Sequence, residues 1–358
     1  MHYYTSLESF CGFSRDTIMY RRFILAVFYS VIIPFYNTEK YIDQCLRSVL
    51  EQSFQDYEII AVNDGSTDAS EQIVSRLAAQ YPAVSVKRIG HSGAGAARNA
   101  GMEAARGEYV IFLDADDYWT NPHLLEHIHD KLQEHKADLV MFQMDKYTED
   151  GKVLKKYRKG AFPSGKACFR LDEVYETLVT DGQVLASSCN KCVRRGLLKN
   201  SDIRFQEGGL AEDIDWVLQL FSHVESISFL DEISYAYRQH QKGSASSNTA
   251  GAEYQARMVK DWAAKQKQKQ KLGKAPNARA ISGFLAFEYG ICLGYWQYLS
   301  PEMKKMIRSH RYLLDYALDK KTKLIQRFCR IFGLRLTCLA VRFYLFLRRL
   351  YQLWMSAG

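Results

Sequence analysis

Asp114-Ala-Asp-Asp117 directly follows the wholly apolar run Tyr109–Leu113. Carboxylates crowded this closely repel one another unless a cation or hydrogen-bond donors compensate them. Hard oxygen donors of this type suit Mg2+ or Mn2+, which complete their shells with substrate phosphate oxygens. Two more polar clusters end apolar runs: Pro34-Phe-Tyr-Asn37 after Ser30, and Asn63-Asp-Gly-Ser-Thr-Asp68 after Tyr57–Val62. Further on, Glu212-Asp213 opens a helical pattern. A carboxylate there either complements the helix dipole or serves as a base that takes a proton from a hydroxyl nucleophile.

These clusters need elements to hold them. Between 30 and 117 the pattern alternates strand and helix, which predicts an α/β domain around a mostly parallel sheet. Strands are expected at Ser30–Pro34, Tyr57–Val62, Val84–Ile89 and Tyr109–Leu113, with helices at Glu39–Gln52, from Ser66–Asp68 to about Ala79, and at Gly95–Arg106. Ser66–Asp68 should cap the second helix and Gly107 should end the third. In such sheets ligands bind outside the carboxyl ends of the strands, where the three clusters fall. Later strands are expected at Leu139–Met144 and Ser226–Leu230, and helices near 172–180, 211–223 and 281–298. The alternating Lys and Gln of 265–271 reads as a solvated linker or helix face.

Composition limits the alternatives. Of 358 residues, 47% are hydrophobic, which excludes a disordered chain, and 22 Gly with 6 Pro exclude a collagen-like one. Mean hydropathy of −0.28 argues against a multi-span membrane protein. The net charge of +8 is unevenly distributed: no acidic residue follows Asp319, while nine Lys and Arg do. The remainder carries 48 − 9 = 39 bases against 40 acids, so the body is neutral and the C-terminus basic. No nucleic-acid motif accompanies the bases, and nucleic acid is not an expected partner. The 8 cysteines are too sparse for a disulfide scaffold, and Cys189-Asn-Lys-Cys192 lacks a second pair with which to bind zinc. Reduced cysteines favour the cytoplasm. Arg21-Arg22 and the apolar run from Phe23 imitate a signal peptide without a small-residue cleavage site. Residues 1–25 are read as a poorly ordered leader, with Met19 a candidate start.

Four segments together, Ser30-Val-Ile-Ile-Pro-Phe-Tyr-Asn37, Val62-Asn-Asp-Gly-Ser-Thr-Asp68, Ala97-Arg-Asn-Ala-Gly101 and Phe112-Leu-Asp-Ala-Asp-Asp117, resemble in order and spacing the motifs of family 2 glycosyltransferases. The resemblance spans about 30–245. It implies a GT-A fold with a C-terminal helical extension, a nucleotide-diphosphate sugar as donor, and inversion at the anomeric carbon. It also implies that Asp64 recognises the base, usually uracil, and that Pro34, Tyr36 and Asn37 wall the nucleotide pocket. Arg98 is implied at the nucleotide or its diphosphate, Asp114 near the ribose, and Asp116 as ligand to Mn2+ or Mg2+. The segment Glu207 to Trp216 resembles the family's Glu-Asp motif, which makes Asp213 the base. Ser188-Cys-Asn-Lys-Cys-Val-Arg-Arg195 resembles the Asn-Lys segment before the acceptor region. Tyr235-Ala-Tyr-Arg-Gln-His240, with Gly243-Ser-Ala-Ser-Ser247, resembles a loop that closes over the diphosphate, where Arg238 and His240 would meet phosphate oxygens.

Processive members carry Gln-x-x-Arg-Trp. Here the five tryptophans follow Tyr118, Asp215, Asp261, Tyr295 and Leu353, so transfer of one sugar per encounter is expected. The expected organisation is a glycosyltransferase domain over 26–245, a helical extension over 246–320, and a basic amphipathic tail over 321–358. The tail's charges are too closely spaced for a bilayer span, whereas an in-plane helix on an anionic membrane face accommodates them. The expected protein is a peripheral enzyme at the cytoplasmic membrane face, acting on a glycan or lipid-linked glycan acceptor in surface polysaccharide synthesis. A non-catalytic sugar-nucleotide-binding or scaffold protein is the alternative. A nucleotidyltransferase is disfavoured, because Pro34-Phe-Tyr-Asn37 is not a Gly-rich phosphate loop.

Overall fold

The structure, a computed structural model, describes residues 27–148, 151–155, 160, 162–209, 212–239, 249–271 and 277–357. The expected leader lies outside them. The first half runs β1 (Tyr29–Phe35), α1 (Ile42–Leu50), β2 (Tyr57–Asn63), α2 (Ser70–Gln80), β3 (Val84–Arg88), α3 (Ala94–Ala104) and β4 (Tyr109–Phe112). β1 pairs in parallel with β2 and β4, and β2 with β3. Every residue of β1, β2 and β4 is buried, as expected for strands covered on both faces.

The second half runs β5 (Tyr118–Trp119), α4 (Leu124–Glu134), β6 (Leu139–Tyr147), β7 (Val153–Lys155), β8 (Phe169–Arg170), α5 (Leu171–Thr180), β9 (Lys191–Arg194), α6 (Arg195–Asn200), α7 (Glu212–Phe221) and β10 (Ser226–Arg238). The sheet order is β3-β2-β1-β4-β9-β6-β10-β5. β9 enters antiparallel between β4 and β6, and β10 pairs in parallel with β6. Thus β1 to β4, β6 and β10 share one direction. The expected mostly parallel sheet is found in its first half and is mixed beyond β4.

Two local expectations are corrected. α1 begins at Ile42 rather than Glu39, because the entry turn is tied to the neighbouring loop. Thr38 N–H donates to Ser70 Oγ at 2.8 Å and Glu39 N–H to Asp68 Oδ2 at 3.0 Å. Ala69, not the expected side chains, occupies the N-cap of α2, while Asp68 Oδ1 accepts from Ser70 N–H at 2.9 Å. α1 then buries Ile42, Cys45, Leu46 and Val49, the stripe its periodicity predicts.

Helices follow in the extension: α8 (Thr249–Lys271), α9 (Ala278–Gly294), α10 (Pro301–Ser309) and α11 (Lys320–Ala357). The Lys and Gln run is the last part of α8 rather than a linker. Trp262 of α8 donates its indole N–H to Asp215 Oδ1 at 2.6 Å, which docks the extension on α7. Helical φ and ψ fail at Gly333, so α11 is two helical pieces.

Gly107 does not end α3, which stops at Ala104. A Cβ there would lie 2.5 Å from the backbone nitrogen of Ser30, inside β1. Central-strand backbone cannot yield, so Gly107→Ala should lose about 1–3 kcal/mol of stability. Urea denaturation giving an unchanged midpoint would contradict that account.

Candidate functional site

The carboxyl ends of β2, β1 and β4 lie side by side, since Phe35 pairs with Asn63 and Ile32 with Phe112. Asp64 and Asp114 therefore emerge on one edge, two strand spacings or roughly 10 Å apart. Asp64 is buried and accepts from Ser92 N–H at 2.7 Å and Gly93 N–H at 2.9 Å. It thereby fixes the loop leading into α3, where Gly93 adopts a φ of 91° that favours glycine. His91 Nδ1 lies 3.1 Å from Asp64 Oδ2, and its ring stacks on Tyr36 at 4.1 Å. Tyr36 and Asn37 are exposed, whereas Pro34 is buried within β1. Asn37 Oδ1 accepts from Thr67 N–H at 2.8 Å, joining the two loops of this edge.

Arg98 joins distant parts of the chain. It projects from α3, is 4% exposed, and bonds Asp114 Oδ1 at 2.7 Å and Glu212 Oε1 at 2.9 Å. Asp213 Oδ1 lies 3.8 Å away, and the guanidinium rests over the Phe205 ring at 5.3 Å. Burial opposes its charge, but Asp213, Asp114 and Glu212 outweigh burial and hold its pKa well above the ordinary value. A helix-surface ion pair is not what this residue makes. It is a buried cation shared by α3, the turn after β4 and the first turn of α7.

Asp213 is placed to be reactive. Ser188 Oγ donates to its Oδ1 at 3.0 Å, and 24% of the side chain stays exposed. Burial, with the charges of Asp114 and Glu212, pushes the carboxyl up to about 6, against the opposing pull of Arg98 and Ser188. Such a group is ionised near neutral pH yet basic enough to take a proton.

A second group gathers on the Asp114–Asp117 turn. Asp117 is buried, accepting from Tyr235 O–H at 2.6 Å and from Arg238 N–H at 2.7 Å. Burial and then the charges of Asp116 and Asp114 raise its pKa well above the carboxylate range. Arg238, the last residue of β10, donates from Nε to the Asp116 carbonyl at 2.8 Å and from a terminal nitrogen to Gln44 Oε1 at 2.8 Å. Its guanidinium lies over the rings of Tyr41 and Tyr118 at 4.8 and 5.4 Å. His240 and Gly243–Ser247 lie outside the described residues.

The donor set fits a hard divalent cation. Asp114, Asp116 and Asp117 bring three carboxyls onto one four-residue turn, a concentration of negative charge that a cation would offset. Among the described residues no three or more His, Cys, Asp or Glu side chains form a ready-made cage. That suits an ion held by one or two carboxylates and by substrate phosphates. Cys189 and Cys192 are buried free thiols.

Sequence reasoning gave Ser188 no separate role and missed Gln44 altogether. Ser188 lay within a quoted segment, but only the fold brings it to Asp213. Gln44 carried no signal, since it faces the site through the rotation of α1.

Residues 30–197 match the sequence model described as Glycosyl transferase family 2. Glycosyltransferase GlyA of Streptococcus pneumoniae is 31% identical over 61% of this chain and 31% of its own length. Cholesterol galactosyltransferase of Borreliella burgdorferi is 32% identical over 61% of this chain and 62% of its own. The chain thus spans less than two thirds of the length of these curated relatives. Among solved structures, S. aureus TarS 1-349 in complex with UDP-GlcNAc superposes with a TM-score of 0.67 at 22% identity, covering 88% of this chain and 90% of that one. The four motifs all lie inside that matched segment, residues 30–197, and the fold is of the GT-A type.

One consequence of the site concerns stability. Asp213 titrates at about 6 when folded, above its unfolded value near 3.9, so the folded state binds the extra proton between those values. Stability then falls as pH rises through that window. Asp213→Asn removes the penalty and should be more stable than the parent above pH 6, by up to about 3 kcal/mol at one pKa unit per 1.4 kcal/mol, with no advantage below pH 4. Denaturation midpoints of both proteins across pH 4–8 provide the check; parallel curves would refute it.

Proposed function

We propose that the protein is an inverting glycosyltransferase that moves one sugar from a UDP-sugar to a hydroxyl of a glycan, in surface polysaccharide synthesis. The observation that carries the reading is Asp213. This partly exposed carboxyl is raised to about 6 and lies beside a buried arginine, at the strand edge that also carries Asp114 and Asp116. TarS, a relative named as a poly(ribitol-phosphate) beta-N-acetylglucosaminyltransferase, lends support to the donor class.

In this reading the uracil meets Asp64 and Tyr36, with Asn37 beside them and Pro34 buried behind in β1. Asp114 faces the ribose, and Arg98 holds Asp114 and Glu212 in place. Asp116 would hold Mn2+ or Mg2+, which would supply positive charge against the diphosphate. Arg238, already over the Asp116 backbone, adds charge-assisted hydrogen bonds to phosphate oxygens. Asp213 takes the proton of the acceptor hydroxyl as its oxygen attacks the anomeric carbon. The bond from that carbon to the diphosphate oxygen breaks, and UDP leaves. A single displacement converts an α-linked donor to a β-linked product.

Asp213→Asn should cut transfer by about 10²–10⁴-fold while binding UDP as the parent does. Radiolabelled UDP-sugar transfer alongside UDP titration measures both, and retained transfer would end the assignment. Asp116→Ala should abolish the dependence of donor affinity on added Mn2+.

The tail supports a membrane site for the reaction. No described helix is long and apolar enough to cross a bilayer. Yet α11 exposes Leu324, Ile331, Leu336, Leu339, Phe343 and Phe346, with Ile331 73% exposed, while Cys329, Thr337 and Cys338 are buried. Arg327, Arg330, Arg335 and Arg342 interleave with the exposed apolar residues. This is the composition of an in-plane helix on anionic lipid, and it supports the reading of a peripheral enzyme at the cytoplasmic membrane face with a lipid-linked acceptor. The full chain should co-float with phosphatidylglycerol vesicles and not with phosphatidylcholine vesicles. Leu339→Glu with Phe343→Glu should release it; flotation indifferent to lipid charge and to both changes would contradict this surface.

A further inference from the structure

Lys191 is a lysine with no access to solvent. It stands at the start of β9, 0% exposed. Its Nζ donates to the carbonyl of Ser187 at 2.6 Å, to Asn190 Oδ1 at 2.8 Å and to the carbonyl of Leu185 at 3.0 Å. An ammonium has three N–H donors and no acceptor, so three oxygens satisfy it fully. The oxygens replace its hydration shell, without which a buried charge is not tolerated.

All three acceptors belong to the stretch 185–190, which wraps the ammonium. The far end of the wrap is pinned to β6: Asn190 Nδ2 donates to the Phe142 carbonyl, and Phe142 N–H to the Asn190 carbonyl, both at 3.2 Å. Within the wrap, Cys189 N–H donates to Ser187 Oγ at 3.2 Å. Ser188 is then left fully buried with its hydroxyl on Asp213. No regular element holds residues 185–188 in that shape; the lysine does.

We infer that Lys191 is a positioning residue for the proposed reaction, acting as the template around which residues 185–188 fold so that Ser188 meets Asp213. The inference rests on Asp213 being the base. The groups facing Asp213 are Arg98 from α3, Asp114 after β4, Glu212 beside it on α7, Ser188 and Cys189 from the wrap, and the Lys191 ammonium inside the wrap, whose charge also acts on it. Of these, Ser188, Arg98 and the ammonium favour its ionised form. If the wrap and its ammonium are lost, Arg98 alone remains to favour ionisation, and Asp213 becomes harder to ionise. Burial pushes Lys191 itself down to about 7, with the charge of Asp213 opposing. Above that range the amine would keep too few N–H donors for its three acceptors, which weakens the wrap further.

The test is the pH dependence of transfer by the full-length Lys191→Met, Ser188→Ala and combined variants, with UDP binding measured in parallel. The acid limb of kcat should move up by about one pH unit in each variant, as expected for one charged hydrogen bond lost. With the limb moved from about 6 to about 7, kcat should fall about fivefold at pH 6 and about twofold at pH 7, and UDP affinity should stay at the parent value. The double variant should be no worse than Lys191→Met alone, because both changes remove the same contact. Should Lys191→Met fail to fold, Lys191→Gln, which keeps two N–H donors, should give a smaller shift in the same direction. A folded Lys191 variant with lowered Tm but the parent's acid limb would overturn the inference, as would additive shifts in the double variant. Activity retained by Asp213→Asn sinks the base and this inference together; an inactive Asp213→Asn beside a Lys191 variant that behaves like the parent sinks the inference alone.

Discussion

A cation without access to water holds the carboxyl edge of the sheet together. Strands that share a direction deliver their carboxyl ends, and here their acidic loops, to one side of the domain. Asp114 and Glu212 would repel each other there without a counterion. Arg98 supplies it from α3, with bonds of 2.7 and 2.9 Å and an aromatic floor formed by Phe205, itself stacked on Trp216 at 5.0 Å. Buried ion pairs seldom add net stability, because removing the ions from water offsets the attraction. What they fix is geometry. Arg98 can reach only if α3 lies close to the chain before α7, and Gly95 allows this: a Cβ there would stand 2.7 Å from the Gln206 carbonyl. The small residues of α3 are therefore a condition of the site.

Two carboxyls at this edge, Asp117 and Asp213, are both raised, yet their surroundings assign them different work. Asp117 has both oxygens occupied, one by Tyr235 and one by the Arg238 backbone, and it is 1% exposed. It joins the turn after β4 to the end of β10 and thereby sets where the Arg238 side chain lies. Asp213 keeps one face open and is held by one hydroxyl. Pairs of acids whose environments differ in this way are how proteins separate structural from chemical roles. The cost of keeping Asp213 ionised falls on the fold, and the packing of α7 against Phe112 and Phe205 through Trp216 offsets it.

The exposed face of α11 needs a separate account. Scattered apolar residues on a surface are ordinary, whereas a row repeated over successive turns is not. The other face of the same helix is occupied: Cys329 and Cys338 are buried, and Arg330 pairs with Asp315 at 2.8 Å. The helix is thus already anchored, and its remaining apolar row is surplus to the core. Net charge follows the same division, since the body is neutral and the bases lie on this helix. Gly333 interrupts the helix, so the row is carried by two helical pieces.

Much of this was legible because strand–helix alternation and buried strands leave regular traces. Three of the four motif segments sit at the strand ends where period and composition predicted them, the fourth, Ala97–Gly101, lies in α3, and the first half of the sheet follows directly. What was not legible depends on contacts between residues far apart in the chain. β9 has only four residues and enters antiparallel, with no periodicity of its own to announce it. The partners of Arg98 stand 16 and 114 positions away, so a local ion pair was the natural alternative to a ligand contact. Asp68 illustrates a subtler failure: its type and position suit a helix cap, but the backbone of the neighbouring entry turn competes for the same carboxylate. Lys191 is the sharpest case. Composition assigns lysine to the surface, and only the closed set of oxygens around its nitrogen accounts for its burial. Residues that defy local rules yet are fully satisfied in three dimensions mark where a sequence is constrained by more than folding. Here they cluster around the carboxyl that the proposed chemistry requires.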